Sequence, residues 1–182
     1  KPTKTSGDLR EAVRDAAFMQ SVANPEISVT ADVPSSPVTA VFDARLVGQA
    51  LTNVVKNAAE AVSARIGDDL PKGKVTVHLR GELGDGSGRI VIDVIDNGIG
   101  LPEENRSRLL EPYMTTREKG TGLGLAIVRK ILEDHGGGIE LLDAPKTNPE
   151  DTGTLVRLTL AAHAEIEPET DLQNQTVTAH GA

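Results

Sequence analysis

Apolar residues recur along this chain with two spacings, and the switches between them divide it into elements. Leu9, Val13, Ala16, Ala17 and Met19 fall near helical spacing, so residues 8–22 predict a helix that Asp8 caps and Asn24-Pro25 ends. Ile27, Val29, Ala31 and Val33 alternate as a strand; Pro34 to Pro37 turn, and residues 38–42 read as a short partner strand. Asp43 then caps a long helix over residues 43–65, whose apolar stripe is Val47, Ala50, Leu51, Val54, Val55, Ala58 and Val62. Strands follow at 74–80 and 89–96, joined by a glycine-rich turn from Gly84 to Gly88. Residues 97–121 form a Gly/Pro-punctuated segment with one short helical stretch after Pro102. A second strong helix spans 122–135, stopped by Gly136-Gly137-Gly138, and the last strands lie at 139–142 and 154–160.

At the two ends the periodicity fails. Residues 1–7 are polar and read as irregular, and beyond Ala161 acidic and polar residues dominate, so 162–182 is expected to be a disordered tail. Because the strands meet mostly through hairpin-like turns, the pattern predicts an α/β domain with a mixed or antiparallel sheet and its helices on one face.

Composition narrows the possibilities. Aromatic residues are only 2%, so the core must be built from Val, Ile, Leu and Ala. The net charge of -8 argues against a broad nucleic-acid-binding face, and any anionic ligand must be held by local features. With no Cys, neither a disulfide framework nor a thiolate metal site can form. No apolar run reaches the roughly 18 residues of a membrane span. The opening Lys1-Pro2 reads as an internal stretch of a longer protein.

Four places carry candidate chemistry. On the long helix, Gln49, Asn53, Asn57 and Glu60 share one face. That face is either ordinary solvent side or a row of amides, whose oxygens suit Mg²⁺. In the strand 89–96, period two puts Ile90, Ile92, Val94 and Asp96 on one face, so Asp96 is expected to point inward, where a carboxylate needs a donor. Asp93 falls on the opposite, mixed face and is expected to be solvated. Asn97-Gly98-Ile99-Gly100 follow, either as a common Asp-Asn-Gly turn or as flexible backbone that a flat ligand can approach. Third, Lys119-Gly120-Thr121-Gly122-Leu123-Gly124-Leu125 runs into a helix start, where backbone N–H groups and the helix dipole favour a phosphate. It is neither a Walker loop nor the dinucleotide fingerprint. Last, Thr154 shares the core face of its strand with Val156, Leu158 and Leu160.

In order and spacing these elements resemble the sensor histidine kinases and the wider ATPase superfamily of gyrase, the Hsp90 chaperones and MutL. Leu51-Thr52-Asn53-Val54-Val55-Lys56-Asn57-Ala58 is similar to the kinase N box, and Asp96-Asn97-Gly98-Ile99-Gly100 to the G1 box. Glu111-Pro112-Tyr113-Met114-Thr115-Thr116 resembles the F box, Gly120-Thr121-Gly122-Leu123-Gly124-Leu125 the G2 box, and Gly153-Thr154 the last Gly-Thr element. The short lid, Pro112 to Arg117, is most like that of nitrogen-regulation sensor kinases of the NtrY and NtrB type.

The resemblance implies a two-layer, Bergerat-type sandwich: a mixed, mainly antiparallel sheet of about five strands on about three helices, with an ATP lid over 98–121. It implies domain limits of 1–24 for a linker and helix following a dimerisation domain, and 25–161 for the ATP-binding domain. Asn57 would bind Mg²⁺; Asp96 would accept from the adenine amino group; Ile99, Leu101 and Leu123 would line the adenine pocket above Thr154. Gly98 and Gly100 would shape the turn, Thr121 to Leu125 would offer N–H groups to phosphates, and Tyr113, Thr115, Thr116, Arg117 and Lys119 would belong to the lid.

Where the gyrase-like ATPases carry a water-activating Glu this chain has Asn53, an amide that cannot act as a base, which favours phosphoryl transfer over hydrolysis. Two departures stand out: Glu60 where many sensor kinases have a cation, and Tyr113 for Phe. None of His78, His135, His163 and His180 sits in the family's acceptor pattern; His135 is expected at a helix C-terminus, suiting its dipole. The phosphoacceptor domain is therefore expected upstream of this chain, with a response regulator as the further partner, no nucleic acid, and a monomeric fragment. The domain is expected to be cytoplasmic, with a parent anchored in a bacterial inner membrane. An ATP-gated switch or ATPase, and an anti-sigma serine kinase, are the alternatives on the same fold.

Overall fold

A computed structural model describes residues 1–65, 72–82, 88–112 and 124–163. Helix α1 (Leu9–Ala23) starts at Asp8, whose carboxylate accepts from the Arg10 N–H and from the Val38 N–H, both at 3.1 Å. Its buried residues Leu9, Val13, Ala16, Ala17 and Gln20 follow helical spacing. The Arg10 guanidinium lies 2.9 Å from the same carboxylate and donates to Ser35 O at 2.7 Å, which ties the helix to the 34–37 turn. Helix α2 (Ala44–Arg65) is capped by Asp43, whose Oδ1 accepts from Leu46 N at 3.0 Å. Helix α3 (Gly124–Asp134) ends in a Schellman motif: Gly137 N bonds Leu132 O at 2.9 Å, Gly136 N bonds Glu133 O at 3.1 Å, and Gly136 takes φ +71°.

Seven strands complete the described fold. Strand β1 is Thr5–Asp8, β2 is Ser28–Asp32, β3 is Thr39–Phe42, β4 is Lys74–Glu82, β5 is Arg89–Asp96, β6 is Gly138–Asp143 and β7 is Thr154–Ala161. Five of them form one sheet in the order β2-β4-β5-β7-β6, with β2 parallel to β4 and every other pair antiparallel. The helices bury their apolar stripes against this sheet, giving the expected two layers. Val13, Leu51, Val55, Val77, Ile92, Val128 and Leu158 all belong to the resulting aliphatic core. The glycine-rich turn expected after Gly84 and the polar tail lie outside the described residues, apart from Gly88 and residues 162–163.

Three expectations are corrected. Residues 5–8 are not irregular; they pair antiparallel with β3, Thr5 opposite Phe42 and Asp8 opposite Thr39. Consequently β2 and β3 are not hairpin partners, and β2 instead runs parallel to β4, Ser28 opposite Lys74. The prolines between them carry the chain out of the main sheet rather than back along it.

The third correction concerns Asp93, which is 4% exposed rather than solvated. The strand registers align Asp32, His78, Asp93, Arg157 and Glu140 in one row across the sheet, one residue per strand. Arg157 reaches Asp93 through Nε at 2.9 Å and Nη2 at 3.1 Å, and Arg80 adds Nη1 at 2.8 Å. His78 meets Asp32 at 2.8 Å in the same row. Burial pushes the Asp93 carboxyl up, but the paired guanidiniums of Arg157 and Arg80 outweigh it and hold it below its ordinary range.

His135 directly follows the last residue of α3, at the helix C-terminus as expected, and is buried at 4% exposure. Its Nε2 accepts the Asp43 N–H at 3.0 Å, so Nδ1 carries the proton and donates to Ile131 O at 2.7 Å. The ring is neutral and joins the start of α2 to the end of α3.

His135→Ala should lower unfolding stability by about 1–3 kcal/mol in urea titration, because it orphans a buried N–H and leaves a void. The Asp93 carboxyl titrates lower folded than unfolded, so its stabilisation is complete above the usual carboxylate value and drains away as pH falls below it. In Asp93→Asn that loss should be smaller between about pH 5 and 2, with lower stability at neutral pH, as read by urea midpoints across pH.

Candidate functional site

Chemistry-bearing residues converge where β5 ends, and Asp96 lies at the centre. It is 4% exposed on the core face, as period two predicted. Its Oδ1 accepts the Gly98 N–H at 2.8 Å and the Thr154 N–H, from the first residue of β7, at 3.3 Å. The protein thus supplies two donors that sequence reasoning did not foresee. Thr154 is itself buried.

The turn after Asp96 is pressed onto α2. A Cβ at Gly98 would come within 3.0 Å of the Ala61 carbonyl and the Val62 nitrogen, so only glycine allows this approach. Ile99 N donates to Ala61 O at 3.1 Å, yet the Ile99 side chain is 53% exposed. A large apolar side chain held out on a backbone fixed beside a buried carboxylate is what a flat, amine-bearing ring would use. Gly100, at φ +81°, lies against Gly153, whose own φ is +145° and whose Cα abuts the Asp96 carbonyl. Leu101 follows, half-buried.

Asn57 and Asn53 are half-buried on α2, four and eight residues before Ala61. At about 1.5 Å rise per residue, they stand roughly 6 and 12 Å up the helix from the point where Ile99 docks. They therefore stand on one face of α2, in successive turns before that docking point. Gln49 and Glu60 on that face are exposed. Gly124 and Leu125 open α3, both half-buried, and α3 packs against α2. Tyr113, Thr115, Thr116, Arg117, Lys119, Gly120, Thr121, Gly122 and Leu123 lie outside the described residues. So does His180, while His163 is exposed.

Among the described residues no three His, Cys, Asp or Glu come together as a metal site. An Asn57 amide oxygen still fits Mg²⁺, which takes few protein ligands and completes its shell with phosphates and water. No helix among the described residues is long and apolar enough to cross a membrane.

Comparison with known proteins identifies the family and the fold. Residues 42–164 match the family model described as histidine kinase-, DNA gyrase B- and HSP90-like ATPase, more than half of the chain. The chain belongs to this ATPase family. It is 52% identical over 94% of its length to the nitrogen regulation protein NtrY of Azorhizobium caulinodans, but spans only 21% of that relative. It is 38% identical over 62% of its length to the sensory histidine kinase/phosphatase NtrB of Rhodobacter capsulatus, spanning 32% of it. Among solved structures, the catalytic domain of histidine kinase ThkA superposes with a TM-score of 0.69 at 27% identity, over 89% of this chain and 99% of that one. The mycobacterial sensor kinase MprB shares the fold at a TM-score of 0.72 and 24% identity, over 90% of this chain and all of that one. Within the family the chain is thus an ATP-binding domain of the histidine-kinase type, similar to the NtrY and NtrB kinases.

Several residues around this turn were not legible beforehand. Arg65 donates to Asn97 O at 2.6 Å, and Thr152 Oγ1 donates to Gly98 O at 2.6 Å. The Asn97 side chain accepts from Lys74 N at 2.8 Å and donates to Lys72 O at 3.1 Å, fastening the turn to the start of β4. Only the adjacency of Thr152 to Gly153-Thr154 hinted at any of this. Gly98→Ala should cost about 1–3 kcal/mol in urea denaturation, since its Cβ must displace either the turn or α2.

Proposed function

We propose that this domain binds ATP with Mg²⁺ and transfers the γ-phosphoryl group to a histidine on a dimerisation domain outside this chain, for relay to a response-regulator aspartate. The observation that carries the reading is the buried Asp96 carboxylate at the edge of a turn that holds Ile99 out toward solvent. In this reading Asp96 accepts from the adenine amino group, Ile99, Leu101 and Leu123 contact the ring, and Thr154 lies at the pocket base. Gly98 and Gly100 let the backbone approach. Asn57 holds Mg²⁺, which offsets phosphate charge when bound. Thr121 to Leu125, with Gly122 and Gly124, offer N–H groups to the phosphates at the start of α3. A bound-nucleotide precedent exists in a relative: the full-length kinase ShkA, 25% identical with a TM-score of 0.71, was solved in complex with AMPPNP.

Arg117 and Lys119 are the cations that meet the γ-phosphate in an otherwise acidic chain, within a lid over residues 98–121 that includes Tyr113, Thr115, Thr116 and Gly120. Asn53 sits where a hydrolytic ATPase needs a base, and an amide cannot supply one, which supports transfer over the switch or ATPase reading. Catalysis then comes from positioning and charge stabilisation, with the acceptor histidine brought by the partner domain. His78 and His135 are engaged in structural hydrogen bonds, which supports an acceptor elsewhere. Residues 1–24 serve as the linker and entry helix, 25–161 as the catalytic unit, and the domain alone is a monomer. The parent is a kinase whose catalytic part faces the cytoplasm from an inner-membrane anchor.

Titration calorimetry should show ATP–Mg²⁺ binding without self-labelling. Asp96→Asn should weaken ATP by about 1–3 kcal/mol, the cost of mismatching a buried acceptor, and an unchanged affinity would remove Asp96 from the adenine site. Asn57→Ala should abolish the magnesium dependence of binding. With labelled ATP and a separate dimerisation domain of an NtrY-type kinase, label should appear as acid-labile phosphohistidine; steady phosphate release without transfer would instead support the ATPase reading.

A further inference from the structure

We propose that Arg65 and Thr152 are positioning residues for the base-binding turn, holding two successive carbonyls so that Ile99 and Asp96 are set before nucleotide arrives. This rests on the nucleotide reading above and deepens it.

The backbone from Asn97 to Ile99 is tied at five polar groups in a row. Asn97 N donates to Lys74 O at 3.2 Å, and Asn97 O accepts from Arg65 Nη1 at 2.6 Å. Gly98 N donates to Asp96 Oδ1 at 2.8 Å, Gly98 O accepts from Thr152 Oγ1 at 2.6 Å, and Ile99 N donates to Ala61 O at 3.1 Å. Three of these ties belong to the strand, to α2 or to Asp96 itself. The two carbonyl ties come from side chains on separate elements: Arg65 is the last residue of α2, and Thr152 lies in the loop between β6 and β7.

A glycine turn without those donors would be free to rotate its peptide planes, because Gly98 and Gly100 impose little backbone restraint. Rotation of the 98–99 peptide would break the Ile99–Ala61 bond and turn the exposed Ile99 away from Asp96. Holding the turn in advance removes an ordering cost that binding would otherwise bear. The loop carrying Thr152 is itself braced: Asp151 Oδ2 accepts from Thr147 N at 3.0 Å and Asn148 N at 2.8 Å, and Ala144 N bonds Gly153 O at 3.1 Å. Thr152 is exposed, so changing its side chain leaves the core intact.

The test uses Thr152→Val, which keeps the shape and removes the donor, with Thr152→Ser and Arg65→Met beside it. ATP affinity by calorimetry should fall about five- to tenfold in Thr152→Val and Arg65→Met, the scale of one hydrogen bond, and recover in Thr152→Ser. Protection of the Ile99 amide from hydrogen exchange should fall in the same variants, while the urea midpoint of Thr152→Val stays at the wild-type value. Wild-type affinity and unchanged Ile99 protection in Thr152→Val would sink the latch alone. A wild-type protein that binds no ATP would sink the nucleotide reading, and this proposal with it. A loss of affinity that tracks a loss of global stability and is not rescued by serine would make Thr152 merely structural.

Discussion

Burying Asp96 at the end of a central strand obliges the chain to bring donors to it, and the architecture around the site follows from that requirement. Gly98 and Thr154 supply N–H groups from opposite sides, one from the turn and one from β7. For Thr154 to reach, Gly153 must press against the Asp96 carbonyl, and for Gly98 to turn back it must lie against the α2 backbone. Two glycines at close approach are thus consequences of one buried carboxylate. An unsatisfied carboxylate in the same place would cost several kcal/mol, more than most single contacts in the domain can offset.

The same strand buries a second carboxylate on its other face, and the solution there is different. Asp96 is met by backbone donors and keeps a neighbouring exposed apolar side chain, whereas Asp93 is closed over by two arginines. A single eight-residue strand thus buries two carboxylates, one on each face, with different kinds of partner.

Helix ends carry the rest of the order. Asp43 caps α2 through one carboxylate oxygen and accepts Thr3 N at 2.8 Å through the other. Its own N–H meets His135, which closes α3. The start of α2, the end of α3 and the first residues of the chain are therefore one hydrogen-bonded junction, at the opposite end of α2 from the Ala61 docking point. Both α2 and α3 are thus anchored at this shared junction by hydrogen bonds within the protein.

Much of this was local and therefore readable in one dimension. The stripe Val47 to Val62, the Asp8 and Asp43 caps, the glycine stop after α3 and the inward Asp96 each depend on spacing within about fifteen residues, and the ordered motifs marked the family. What needed the tertiary structure were pairings between distant segments. The burial of Asp93 depends on a register that sets it opposite Arg157, the strand at Thr5 exists only because β3 lies beside it, and the neutral state of His135 is imposed by an N–H ninety-two positions away. Arg65 and Thr152 reach the turn from two other elements, and neither stands out in sequence. Periodicity reports which face a residue occupies; only the folded chain decides what waits on that face.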